Sequence, residues 1–373
     1  MSRESAPTQT TGRLRSLDAL RGFDMFWIVG GSAVVAAIAK TTDNPFVQWV
    51  ESQTHHVEWN GFSLWDLIFP LFLFIAGAAM PFSLSDRLAA GVPRRALARK
   101  VIKRGAVLCL LGLVYNGLLA FDFASLRCAS VLGRIGLAYA AAGLIVLLCR
   151  STRAWFAWAA GLSILYWALM SWFPPVPGFG AGQWAPGATL ADYVDRLFLP
   201  GRLYHGDRDP EGLLATVPAV STALFGALAG RLLQTGMRSD VKGEHIALRL
   251  FVYGAIGLAL GWLWDSVFPL NKNLWSSSFV LWTAGLSAML LACFYLVIDV
   301  WGRDRVAFFF VVIGQNAITI YLLNRFIDFD GIAQFVLARG QHLLHPAFVP
   351  ALGILLRWLL LYQLYRKRLF LRV

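Results

Sequence analysis

The stretch from Thr54 to Pro70, THHVEWNGFSLWDLIFP, gathers the residue types best able to do chemistry. His55 and His56 stand beside Glu58, Trp59 and Asn60, and Asp66 follows just before an apolar run. Histidine is the side chain suited to exchanging protons near neutral pH. A carboxylate from Glu58 or Asp66 could orient such a ring. The chemistry this suggests is proton abstraction from an incoming amine or hydroxyl. Solvated loop histidines and a helix-capping aspartate account for the same letters. No metal is expected: two adjacent histidines with a distant His205 match no ligand spacing, and the four cysteines include no CxxC pair.

Other polar residues recur where apolar stretches begin. DRDPEG carries Asp209 and Glu211 and doubles as a helix-start signal, acid favouring the N-terminal dipole. NKNLWSSS carries Asn271, Asn273 and Trp275, a pattern that suits sugar recognition and interfacial anchoring equally. Arg134 lies near the start of one apolar stretch, and Gln315–Asn316 lie inside another. A polar pair there either holds helices together or faces a cavity. Asp18 and Arg21 are three apart, so on a helix they share a face and can pair.

These residues must be positioned by membrane helices. Of 373 residues, 58% are hydrophobic and 14% charged, whereas soluble domains are about a quarter charged. A span needs about 20 apolar residues to cross roughly 30 Å of hydrocarbon. Spans are predicted at about Leu17–Ala39, Phe62–Ser85, Gly105–Ala120, Ser130–Cys149, Ala154–Phe173, Gly212–Leu233, Leu250–Trp264, from after Ser278 to Val300, at Val306–Leu323 and at Phe348–Tyr365. The expected fold is therefore all-α: a polytopic membrane protein of about ten transmembrane helices. Residues 1–14 are expected to be a disordered cytoplasmic tail, and 15–373 a single membrane domain. The net charge of +12 does not imply a nucleic-acid partner, because the basic residues sit in short loops between spans. The segment DRLAAGVPRRALARKVIKR and both chain ends are basic, which puts both termini on the cytoplasmic side. Thr54–Pro70, DPEG and NKNLW then converge on the outer face.

Taken in order, RLRSLDALRGFDMFWIVGG, HHVEWNGFSLWDLIFPLFLFIAG, VLGRIGLAYA, DPEGLLATVPAVSTALFGALAG, NKNLWSSSFV and GQNAITIY resemble the heparan-alpha-glucosaminide N-acetyltransferase family and its bacterial relatives. The likeness runs from Arg15 to about Tyr321. It implies a transmembrane acetyltransferase that takes acetyl-CoA from the cytosol and acetylates an amino sugar or glycan beyond the membrane. The family's catalytic histidine stands three residues before the tryptophan of WNG, which is His56 here, and Asp66 matches the aspartate of the DLxFP block. His56 would act as general base or transient acyl carrier. Arg15, Asp18 and Arg21 match the opening block and are expected at acetyl-CoA. His55, Glu58, Trp59, Asn60, Arg134, Asp209, Glu211, Asn271, Asn273, Trp275 and Asn316 are expected at the acceptor. There are departures: Gly30 and Gly31 stand where the family has an asparagine, and Asp24, His55 and Glu58 are not in the eukaryotic pattern. The implied setting is a bacterial inner membrane, with the lipid bilayer as partner and a homodimer as the base-rate expectation. The competing class is a transporter for a sugar or amino-sugar compound, which CoA binding would discriminate.

Overall fold

The computed structural model describes residues 14–174, 178–338 and 344–371. The tail expected to be disordered lies outside them, apart from Leu14. The described residues form helices and loops, with an isolated antiparallel bridge between Arg127 and Gly201 and no strand. In chain order the α-helices are α1 (Arg15–Phe26), α2 (Ser32–Ala39), α3 (Pro45–Ser52), α4 (Ile68–Ala78), α5 (Asp86–Ala89), α6 (Arg94–Tyr115), α7 (Val131–Leu148) and α8 (Thr152–Trp172). They continue as α9 (Leu190–Phe198), α10 (Thr216–Met237), α11 (Gly243–Asp265), α12 (Ser277–Phe294), α13 (Asp304–Gln315), α14 (Ala317–Phe326), α15 (Phe329–Leu337) and α16 (Phe348–Arg366).

Among the described residues, eight helical stretches are long and apolar enough to cross a membrane. A ninth is added if α13 and α14, bent by 60° at their junction, form one broken span. The chain is thus an all-helical polytopic membrane protein. The difference from ten is α6. Its 22 residues are long enough to cross. Its first half, however, carries Arg94, Arg95, Arg99, Lys100, Lys103 and Arg104, so only the part from Gly105 onward is apolar. The short helices α3 and α9 were not expected, because both lie in polar connections. Local signals account for them. Asn44 accepts hydrogen bonds from the Phe46 and Val47 backbone N–H groups and Pro45 opens α3, while Thr189 and Asp192 cap α9 reciprocally.

Lipid tails are as apolar as leucine, so helices in a bilayer associate through close packing at small residues. Here α4 and α10 touch backbone to backbone: a Cβ on Gly77 would lie 1.9 Å from the Ala223 carbonyl oxygen, and one on Gly226 2.0 Å from that of Phe74. Helices α1 and α13 cross in the same way at Gly22 and Gly314. These contacts put α4 and α10 at the centre of the bundle, with α1, α7 and α12 packed around them.

The bundle has two chemically distinct ends. At one, the Arg15 backbone N–H donates to Asp299, its guanidinium pairs with Asp304, and Arg238 pairs with Asp86 at 2.6 Å. The first helix starts there, and the last finishes there: the Tyr365 ring lies 5.9 Å from that of Phe308, near the start of α13. The basic segment between α4 and α6 shares this face. At the opposite end the connections before α4, α10 and α12 meet.

Candidate active site

The site is built where three loops are tied together. Gly61, at φ 117°, takes a backbone turn that L-residues avoid. Its N–H donates to the Leu270 carbonyl at 2.8 Å, and the Asn271 amide donates to Asn60 Oδ1 at 3.0 Å. This lashing brings Lys272 over His56. Ser63 opens the 3₁₀ turn Leu64–Leu67 that leads into α4, and its backbone N–H and hydroxyl both reach Asp66 Oδ2 at 3.1 Å. Asp66 Oδ1 is left for His56 Nδ1, at 2.6 Å. Asp66 is buried, whereas His56 is half exposed.

This pattern assigns the ring's proton to Nδ1, because Asp66 is an acceptor there, and leaves Nε2 available for chemistry. Lys272 Nζ lies 2.9 Å from Nε2, 3.1 Å from Nδ1 and 3.8 Å from Asp66 Oδ1. An ammonium nearly equidistant from the two ring nitrogens cannot lie in the ring plane without striking Cε1 between them. It therefore sits against the ring face, as a cation on a π-system. Burial pushes the Lys272 ammonium below its usual range; Asp66 and Glu211 oppose that shift, and Arg134 adds to it.

The facing wall is an ion-pair network. Arg127 donates from Nε to Asp209 Oδ2 at 2.8 Å and from Nη2 to Asp209 Oδ1 at 2.5 Å, and it also pairs with Glu211. Its loop is fixed by the bridge to Gly201. Burial disfavours the charged guanidinium, but hydrogen bonding and charge from Asp209 and Glu211 outweigh it and hold Arg127 protonated more firmly than usual. Behind this wall Arg134 is buried, donating from Nη2 to the Gly212 carbonyl at 3.2 Å and stacking over Trp275 at 5.1 Å. Trp275 is fully buried at φ 51°, a left-handed conformation costing about 1–2 kcal/mol for a non-glycine residue. Packing against Phe69 at 4.7 Å and a hydrogen bond to Thr222 Oγ1 at 3.1 Å compensate it. Asp195 accepts from the Leu213 N–H at 2.8 Å. Burial pushes its pKa up to about 7, opposed by that N–H and Arg134 and reinforced by Asp209 and Asp192.

These groups border a cavity of about 470 Å³, a size typical of small-ligand sites. His56, Glu58, Arg127, His205, Glu211, Lys272 and Asn273 line its polar mouth, and Asp24, Met25, Ile28, Phe72, Ile318 and Tyr321 line its inner end.

Of the residues singled out in the sequence, His56, Asp66, Glu58, Glu211 and Asn273 line this cavity together. The others sit elsewhere, for physical reasons. His55 is exposed and pairs with Glu51 at 2.6 Å. Trp59 donates to the Trp184 carbonyl at 2.5 Å, beneath Arg208. Asn60 and Asn271 brace the loops. Arg134, Asp209 and Trp275 support the wall from behind, and a fully buried Trp275 has no face to offer a ligand at the mouth. Asn316 lies buried at the break between α13 and α14, its amide atoms without partners among the described residues. Arg15, Asp18 and Arg21 lie towards the far end, where Arg21 approaches Asp18 at 3.4 Å. Sequence reasoning missed Arg127, Tyr204, His205, Asp24 and Lys272 as cavity residues. Lys272 had a signal, standing between two asparagines already selected. Arg127 had none, because its partners are over 80 residues away.

No family model matches the chain. Among curated proteins, heparan-alpha-glucosaminide N-acetyltransferase from Homo sapiens is 27% identical over 423 residues, covering 97% of this chain and 60% of its own length. The protein of the same name from Mus musculus is 28% identical over 375 residues, covering 85% of this chain and 56% of its own. The chain thus spans less than two thirds of the relatives it matches. Over most of its length the chain is thus similar to heparan-alpha-glucosaminide N-acetyltransferases.

Proposed function

We propose that the protein is a transmembrane acetyltransferase that moves an acetyl group from acetyl-CoA to the amine of an amino sugar or glycan. The observation that carries this reading is the His56–Asp66 pair at 2.6 Å, capped by Lys272, at the polar mouth of the cavity. With its Nδ1 proton held by Asp66, His56 uses Nε2 to take a proton from the acceptor amine. The amine nitrogen forms a bond to the acetyl carbon, the carbon–sulfur bond breaks, and the CoA sulfur leaves with the electron pair and is protonated. The Lys272 ammonium is within reach of the oxyanion that forms on the way, and a positioned cation stabilises such charge. Holding both substrates in one cavity contributes further through proximity. The arginine-rich opposite end suits the phosphates of CoA. The basic residues there favour the cytoplasmic side, and on that reading the acetyl group crosses a bacterial inner membrane to an acceptor outside.

The test is transfer of labelled acetyl from acetyl-CoA to glucosamine and a panel of amino sugars, using purified protein in detergent. Product formed by the wild type and lost in His56→Ala is the expected result. Product surviving in His56→Ala removes His56 from the chemistry. Absence of transfer, together with absence of CoA binding, defeats the enzyme reading and leaves the transporter.

A further inference from the structure

The cavity changes character along its length. Its mouth is polar and charged, whereas its inner end is walled by Met25, Ile28, Phe72, Ile135 and Ile318. One carboxyl interrupts that apolar end. Asp24 lies on α1, just before the π turn Trp27–Gly31 where Gly30 takes φ 141°. It is 1% exposed and lines the cavity. Its Oδ2 has no hydrogen-bond partner among the described residues. A buried carboxyl with one unpartnered oxygen, even within the field of the Arg21 charge one turn away, is costly inside a membrane and marks a functional position.

The chemistry of the walls selects the occupant. A sugar carries hydroxyls on every side and would leave most of them unpaired against methionine, isoleucine and phenylalanine. A thioester arm is a chain of methylenes broken by a few secondary amides. It fits an apolar passage and needs polar partners only at its few amides, an acceptor for each N–H and a donor for each carbonyl. The geometry points to Asp24 as the residue that binds the acyl donor's arm, its Oδ2 accepting one amide N–H. The acceptor then occupies only the polar mouth, between His56 and Glu211. This assignment deepens the acetyltransferase reading and rests on it.

The experiment measures binding of acetyl-CoA, and of CoA alone, to purified full-length protein by intrinsic fluorescence, with wild type, Asp24→Asn and Asp24→Leu. Steady-state kinetics on the same variants separate the donor KM from the acceptor KM. Asp24→Asn keeps an acceptor oxygen and is expected to stay within about threefold of wild type in donor affinity. Asp24→Leu is expected to weaken the donor by roughly tenfold, the loss of one hydrogen bond to a ligand amide, with the acceptor KM unchanged. An amide-free acetyl thioester of similar length supplies a second readout: wild type disfavours it relative to S-acetyl-pantetheine, and Asp24→Leu does not. Melting in detergent checks that each variant is folded. Equal donor binding by wild type and Asp24→Leu overturns the assignment. A change confined to the acceptor KM also overturns it. Failure of the wild type to bind CoA at all defeats the underlying reading instead.

Discussion

Asp66→Asn is nearly isosteric, yet the surrounding hydrogen bonds dictate how the new amide must lie. Asp66 Oδ2 accepts from the Ser63 backbone N–H and sits beside the Ser63 hydroxyl, both at 3.1 Å. The backbone donor cannot turn away, because it opens the 3₁₀ turn. The asparagine oxygen must therefore take the Oδ2 position, which aims the amide NH₂ at His56 Nδ1. A donor there makes Nδ1 an acceptor and sends the ring's only proton to Nε2, the atom needed as base. Enforcing the wrong histidine tautomer costs about 10⁴-fold in kcat in a catalytic triad. His56 is half exposed here, so water can restore the tautomer in part, and a loss of about 10³-fold, roughly 4 kcal/mol, is expected. The assay is labelled acetyl transfer at saturating acetyl-CoA, with CoA affinity measured separately and expected to be unchanged. Asp66→Ala, which imposes no tautomer, is expected to retain more activity than Asp66→Asn. Asparagine activity within threefold of wild type, or alanine activity below that of asparagine in equally folded proteins, would refute the reasoning.

Lys272→Met is expected to lower kcat by about 10²-fold with donor affinity retained, as when one oxyanion donor is lost; unchanged kcat would remove the lysine from the chemistry. Arg127→Ala strands Asp209 and Glu211 in a buried wall, at about 3–5 kcal/mol, so the melting temperature should fall and the acceptor KM rise. Arg127→Lys should rescue little, because a lysine lacks the fork that spans both Asp209 oxygens; full rescue would show that charge alone suffices. For Asp195 the folded pKa of about 7 lies above the unfolded value of about 3.9, so the native state binds more protons between those values. Its contribution is complete below the unfolded value and lost as pH rises through 7, by at most about 4 kcal/mol. Asp195→Asn should flatten the decline in melting temperature between pH 5 and 8; a decline as steep as wild type would point to other groups.

Much of the membrane architecture is legible in the sequence, because an apolar stretch of span length has one stable fate in lipid: each helix satisfies its own backbone. The stretches read at Ser130–Cys149 and Phe348–Tyr365 form α7 and α16 within a residue or two at each end. The reading weakens where composition is mixed. In α6 the basic half and the apolar half share one continuous helix. At Asn316 the apolar run continues while the helix breaks by 60°. Short caps gave α3 and α9 too weak a signal to stand out from loop.

The site divides along the same line. His56 and Asp66 are separated by ten residues; local pattern alone left His55 or His56 and Glu58 or Asp66 open, and the resemblance to a known family singled out His56 and Asp66. Selecting the asparagines and tryptophan of NKNLW but passing over Lys272 shows the limit of residue type as a guide. Asn271 and Trp275 became structural through burial, while Lys272 reached the ring through a loop contact 216 residues away in sequence. The sequence by itself determined that the chain spans a membrane many times and sets a histidine and an aspartate at the mouth of a helix, since hydropathy and capping are local properties. Only the tertiary structure decided which distant charges surround that pair, and that one carboxyl on the first helix lines the inner end of the same cavity. Those facts depend on how glycine contacts set helix against helix, and no local pattern encodes the result.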